Sequence, residues 1–292
     1  MRRPRFKPAD RPMFYHVFIR MAGEPVDFPF SYKEKEFFIK LLHKLNTFYS
    51  VKVVAYQAMS NHFHLVIHAP ADPPTPEEVC ARYNAYHKRR DPLTPEDSRC
   101  ARIGARMRDI SHYMQTLEQE FARWYNRTRK TRRRGHVWAE RFKHTLLGSA
   151  QAVLECCKYV EMNPVRAGIA RNPADWRFSS YGAWCGTGHH PFEANIKDVL
   201  LPFLAVDYPF ETPDDFRAAL KAAFSAPDTD GEAEFTTARR VRYWVDGLMI
   251  GSELFLLEMV SLGRLKARDR GFVKARAPDE SLLYCYKPLR AV

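Results

Sequence analysis

The sequence predicts an α+β protein in which an antiparallel sheet carries flanking helices, and three observations predict it. Residues 13–20, 51–58 and 62–68 are short runs of alternating or β-branched and aromatic side chains, the pattern of strands. Residues 33–49, 107–125 and 149–162 repeat apolar side chains every three or four positions, the period of an amphipathic helix. Their order with a further run at 137–147 is strand, helix, strand, strand, helix, strand, helix, which suits helices packed on an antiparallel sheet.

Met13 to Arg20 is the first strand. Lys33 to Tyr49 places Phe37, Phe38, Leu41, Leu42, Leu45 and Phe48 on one helical stripe. Val51 to Ala58 is the second strand, and the turn-prone Met59, Ser60 and Asn61 return it as a hairpin into the strand holding His62 and His64. Residues 70–106 carry scattered prolines and charges and read as an excursion from the sheet, with one short helix around Glu77–His87. Met107 to Tyr125 returns to helix, and Val137 to Leu147 reads as a strand. Ser149 is a suitable N-cap for a helix running to about Met162, closed by Asn163 and Pro164.

A boundary is expected near residue 190, dividing domain 1–190 from a mainly helical extension, 191–292. In the extension, Thr212 to Asp215 has cap, proline and acids in helix-starting order, with Phe216, Leu220 and Phe224 following on one face. Residues 225–235 read as a loop. The stretch from Ala238 to Val260, broken at Asp246-Gly247 and Gly251-Ser252, is open to two readings, a helix-turn-helix or a plain helical hairpin. A basic tail runs from Arg264 to Arg276.

With 292 residues, 46% of them hydrophobic, the chain can bury a sizeable core. The formal charge of +12 brings a polyanionic partner to mind first, although many soluble proteins are simply basic. No apolar stretch follows the basic N-terminus to serve as a signal, and no run approaches the ~20 apolar residues of a membrane span. The six cysteines include no Cys-x-x-Cys spacing, which fits a reducing, cytoplasmic compartment.

Two features carry chemistry. On a strand, His62 and His64 project from one face roughly 6–7 Å apart, while Phe63, Leu65 and Ile67 project from the other. Paired imidazoles are half of a metal site, though a His-x-His on a strand is by itself more often structural. His68 shares that face but lies further along, where a peripheral role is expected. Val153, Leu154, Cys157 and Val160 form the apolar stripe of the 149–162 helix. Tyr159, about 200° from Cys157, leaves that stripe and shares a side with Asn163.

The second feature is the basic run Arg127, Arg129, Lys130, Arg132, Arg133 and Arg134, leading into Trp138, Arg141 and Lys143. Charge runs are commonly solvated surface. Their junction with an aromatic segment suits phosphate binding and base stacking. With Arg166 these ten residues are the candidate DNA-binding set.

Three blocks, Ser-Asn-His-Phe-His-Leu-Val, Gly-His-Val-Trp-Ala-Glu-Arg-Phe-Lys and Tyr-Val-Glu-Met-Asn-Pro-Val-Arg-Ala-Gly, together resemble the HUH single-tyrosine transposases. More narrowly, they resemble the REP-associated tyrosine transposases, and the resemblance covers about residues 12–185. It implies a ferredoxin-like nuclease core that cuts single-stranded DNA beside a hairpin, in a bacterial cytoplasm, as a monomer rather than a dimer. It further implies Tyr159 as the nucleophile and His62, His64 and Asn163 as ligands of Mg²⁺ or Mn²⁺. A catalytically idle hairpin-DNA-binding regulator of the same fold is the alternative. A replication or conjugation initiator is disfavoured by the Asn-Pro-Val-Arg-Ala-Gly block. The 70–106 insertion and the residues after 190 exceed the minimal domain.

Neutralising Arg132, Arg133 and Arg134 is expected to weaken single-stranded-DNA binding and to reduce the slope of log K against log salt by about 2, at ~0.7 for each phosphate no longer neutralised. Titrations at several salt concentrations check this; an unchanged slope makes the run solvated surface.

Overall fold

The computed structural model describes residues 6–8, 10–23, 29–88, 90–129, 135–225, 243–262, 272–276 and 282–286. The mixed α+β class holds, and the sheet has seven strands in the order β2-β3-β1-β4-β5-β7-β6. The first four, Met13–Arg20 (β1), Lys52–Ala58 (β2), His62–Ala69 (β3) and Lys143–Leu147 (β4), are all antiparallel to their neighbours among themselves. Tyr32–Phe48 (α1) connects β1 to β2, and Ile110–Arg127 (α4) lies between β3 and β4. That β-α-β-β-α-β succession, with β1 and β3 central, is a ferredoxin-like arrangement.

Alternation along β1 and β3 divides the sheet into two faces. On one, Val17, Ile19, Phe63, Leu65 and Ile67 meet Phe38, Leu41 and Leu42 of α1 and Tyr113, Leu117 and Phe121 of α4. On the other, Phe14 and Val66 meet Val153, Cys156, Cys157 and Val160 of Ala150–Glu161 (α5). Ser149 caps α5 as expected, its hydroxyl accepting from Ala152 N at 3.1 Å. Beyond α5 the chain makes one short turn, Asn163–Arg166 (α6), then reaches Ser180–Thr187 (α7). Buried Glu161 ties α5 to α7 by accepting from Ser180 Oγ and Tyr181 N.

Several sequence expectations are corrected. The 70–106 excursion holds two helices, Pro76–Tyr86 (α2) and Arg99–Met107 (α3), which share a small core of Val79, Cys80, Tyr83, Cys100 and Met107. At Gly104 an added Cβ would stand 3.1 Å from Val79, so the residue that disguises α3 in the sequence is what lets it pack on α2. The strand expected over 137–147 forms only at Lys143–Leu147; Trp138 makes a single bridge to Met21.

Residues just after 190 pack into both cores. Phe192 joins the first core; Ile196, Leu200 and Leu204 join the second, through Glu193–Asn195 (α8), a π-helical turn at Ile196–Leu200, and Leu201–Leu204 (α9). Pro213–Ser225 (α10) starts at Thr212 as expected and buries Phe216 and Leu220. The loop expected at 225–235 lies, after Ser225, outside the described residues, as do 238–242 and the tail residues 264–271. In place of either a helix-turn-helix or a plain helical hairpin, Tyr243–Asp246 (α11) and Glu253–Leu262 (α12) flank a strand, Met249–Gly251 (β5). β5 runs parallel to β4 and pairs with Leu282–Tyr286 (β7), which pairs with Phe272–Arg276 (β6). The extension is thus mainly helical among its described residues and also lengthens the sheet.

Phe63 is the anchor of the histidine strand, its ring stacked 3.7 Å from Phe38 and 4.8 Å from Phe30. Phe63→Ala should cost about 3–5 kcal/mol in urea unfolding. A loss below ~1 kcal/mol would show that β3 is held some other way.

Candidate active site

The histidine pair sits on the α5 face of the sheet. β1 and β3 pair Phe18 with His64 and Arg20 with His62, so Phe18 lies beside both imidazoles, 5.5 Å from His62 and 5.0 Å from His64 between ring centres. His16, two residues back on β1, stacks on His64 at 5.1 Å. Sequence reasoning missed His16. Its signal was the Phe14-x-His16-x-Phe18 alternation, which means little until the β1–β3 register sets it beside His64.

Hydrogen bonds fix how these rings present themselves. His62 Nδ1 lies 2.6 Å from Asn61 Oδ1, so it donates and Nε2 keeps its lone pair. His64 Nδ1 lies 2.8 Å from His16 Nε2, and His16 Nδ1 lies 2.7 Å from the Trp244 carbonyl oxygen. Burial pushes the His16 and His62 pKa values down to about 4, and that of His64 well below the ordinary value, so all three are neutral at pH 7.

Tyr159 stands edge-on to this group, its ring 5.6 Å from His64 and 5.7 Å from His16. The sequence reading set it off the apolar stripe of α5, and it does face the histidines. It is nevertheless buried, 7% exposed, because Trp244 of α11 stacks over it at 5.7 Å. Burial pushes its phenol up to about 12, against the opposing pull of the Arg166 guanidinium and a hydrogen bond from Asn163. Arg166 lies 4.5 Å above the Tyr159 ring and donates to its backbone carbonyl. Asn163 Nδ2 donates to the carbonyls of Tyr159 and Val160 at 3.2 and 3.3 Å, leaving Oδ1 as its acceptor end.

Among the described residues no group of three or more His, Cys, Asp or Glu is placed to hold a metal. His16 is no third ligand, because its Nε2 is turned onto His64. What the donor set does offer is two neutral imidazoles on one face of β3, with a carboxamide, Asn163, held at the end of the helix whose Tyr159 meets them. That chemistry fits a divalent cation completed by Asn163 Oδ1 and water.

The candidate DNA-binding residues separate. Arg166 belongs to the site, and Lys143, directly across from Phe18, shares the histidine face while pairing with Asp246 and Glu140. Arg127 and Arg141 are exposed. Arg129 pairs with Glu34 and covers the Tyr125 ring at 3.8 Å. Lys130, Arg132, Arg133 and Arg134 lie outside the described residues. Trp138, half-buried, packs on Phe121 and Phe63 in the opposite core and donates its indole N–H to Glu118 O. The chain that follows the basic run returns beside the histidine end of the sheet, where Ala22 N donates to Val137 O and Met21 N to Asn61 O. His68 is peripheral, against Phe14.

The sequence matches no protein-family model and no curated protein. Among solved structures the chain is similar to a REP-associated tyrosine transposase bound to a REP hairpin, at 13% identity and a TM-score of 0.42, covering 66% of this chain and 88% of that one. A likeness of that size carries no argument for activity. No described helix is long and apolar enough to cross a membrane.

The buried histidines make stability depend on pH. His16 is neutral when folded, with a pKa of about 4, and titrates near 6.5 when unfolded, so its contribution is complete above pH 6.5 and is lost as pH falls toward 4. Glu161, pushed up to about 7 by burial, acts in the opposite sense, so the readout is a difference between proteins. Between pH 7 and pH 5 wild type should lose about 2 kcal/mol more than His16→Gln in urea unfolding. Parallel losses would show that His16 is not held neutral.

Proposed function

We propose that the chain is a metal-dependent, single-stranded-DNA nicking and joining enzyme that acts next to hairpins with Tyr159 as its nucleophile. The observation that carries this reading is the Tyr159 ring lying 5.6 Å from His64, on the face of β3 that also carries His62. The resemblance of the three sequence blocks to REP-associated tyrosine transposases supports the hairpin substrate. The charge of +12, and the return of the chain beside the histidine end of the sheet at Val137, after the basic run, support a nucleic-acid partner.

In this mechanism the Tyr159 oxygen attacks the scissile phosphorus in line with the leaving 3′ oxygen. The P–O bond to that oxygen breaks as the phenol–phosphorus bond forms. The phenol gives up a proton and the leaving strand ends as a 3′-hydroxyl, so the product is a 5′-phosphotyrosine. That bond keeps the phosphodiester's energy, and another 3′-hydroxyl can reverse the step without ATP. Mg²⁺ or Mn²⁺ held by His62, His64 and Asn163 would polarise a non-bridging phosphate oxygen. Arg166, over the tyrosine ring, favours the phenolate against the burial that opposes it. One chain supplies every one of these groups, which supports a monomeric nuclease.

A second reading, a hairpin-DNA-binding regulator without turnover, is favoured by one observation: Tyr159 lies buried beneath Trp244. Incubation with hairpin-bearing single-stranded DNA and Mg²⁺ or Mn²⁺ separates the two. A covalent protein–DNA adduct should form and be lost in Tyr159→Phe, and it should fall at least about a hundredfold in His62→Ala. Tight hairpin binding with no adduct in either metal would establish the regulator.

A further inference from the structure

The hydrogen bonds around His16 form a directed chain. It begins at the carbonyl of Trp244, which can only accept. Thr145, directly across from His16 on β4, places its hydroxyl 2.9 Å from that carbonyl oxygen and 2.7 Å from that of Gly247. His16 Nδ1, at 2.7 Å, must therefore carry a hydrogen. A neutral imidazole has only one N–H, so His16 Nε2 is bare and accepts. Its partner at 2.8 Å, His64 Nδ1, must then be protonated, and His64 Nε2 must be bare. Both imidazoles are 1% exposed, so water is not at hand to satisfy a reversed arrangement. Reversal of either ring would set two N–H groups or two lone pairs against each other in a buried place, where unmatched polar atoms are costly.

We propose that His16 is a positioning residue that fixes the tautomer of His64, so that the Nε2 lone pair of His64 faces the site. His62 receives the same treatment from its neighbour Asn61, a short-range device. For His64 the device is long-range: a carbonyl contributed by residue 244 sets the proton position on β1, and β1 sets it on β3. The segment after residue 190 thereby acts on the ligand face without supplying a ligand. The inference rests on the reading of His64 as a metal ligand only for its consequence; the tautomer itself is a property of the metal-free protein.

Nitrogen-15 NMR of histidine-labelled, metal-free protein reads the tautomers directly. His16 and His64 should both show the Nδ1–H form. His16→Gln keeps an acceptor oxygen for His64 and an N–H donor for the Trp244 carbonyl, and it should preserve the Nδ1–H form of His64. His16→Leu should leave His64 in a mixture. Mn²⁺ affinity, followed by electron paramagnetic resonance, should weaken about tenfold in His16→Leu and stay within about twofold of wild type in His16→Gln. An Nε2–H tautomer of His64 in wild type overturns the proposal, and that measurement does not depend on either variant folding. Equal Mn²⁺ affinity in wild type and folded His16→Leu also overturns it. Wild type that shows the Nδ1–H form but binds no Mn²⁺ upholds the positioning and overturns the ligand reading of His64.

Discussion

The two-residue period of β3 is the constraint on which the rest depends. Phe63, Leu65 and Ile67 are buried against α1 and α4, so His62 and His64 must emerge on the other face. A slip of one residue would bury the imidazoles among phenylalanines and send the aromatic anchors toward α5. The hairpin with β2 and the antiparallel pairing with β1 hold that register, and β1 then supplies Phe18 and His16 to the same face. One packing decision therefore places four rings.

The opposing layer obeys a related logic. Helix α5 buries Val153, Cys156, Cys157 and Val160 against the sheet, and the helical period brings Tyr159, a member of the same buried cluster, against His16 and His64. Glu161, bonded to the start of α7, fixes the end of that helix. The segment 243–251 then closes over it, with Trp244 against the tyrosine ring and β5 alongside β4. The result is a cluster of imidazoles and a phenol buried between layers, and that burial is why its imidazoles are neutral and the phenol is hard to ionise.

Much of this was legible in the sequence because it follows from local periodicity. The strand and helix positions, the Ser149 cap and the face shared by His62 and His64 are consequences of spacings of two and of three to four residues. What was hidden depends on register or on long-range closure. His16 matters only because Phe18 pairs with His64, and no local pattern states that pairing. Tyr159 was legible as off-stripe but not as buried, since its cover comes from Trp244, 85 positions later in the chain. Trp138 was legible as an aromatic beside basic residues but not as a core contact, since the partners of its indole N–H and ring, Glu118 and Phe121, lie about twenty positions earlier on α4. The sheet extension was misread because three-residue β5, between two helical turns, is too short to show alternation.

The central claim is that the β3 histidines and the α5 tyrosine form one site. Anomalous diffraction from crystals soaked in Mn²⁺ tests it most directly. The account predicts a single strong peak within ligand distance of His62 Nε2, His64 Nε2 and Asn163 Oδ1, beside the Tyr159 hydroxyl. A peak elsewhere, or one on the histidines with Tyr159 turned away from it, would contradict the account.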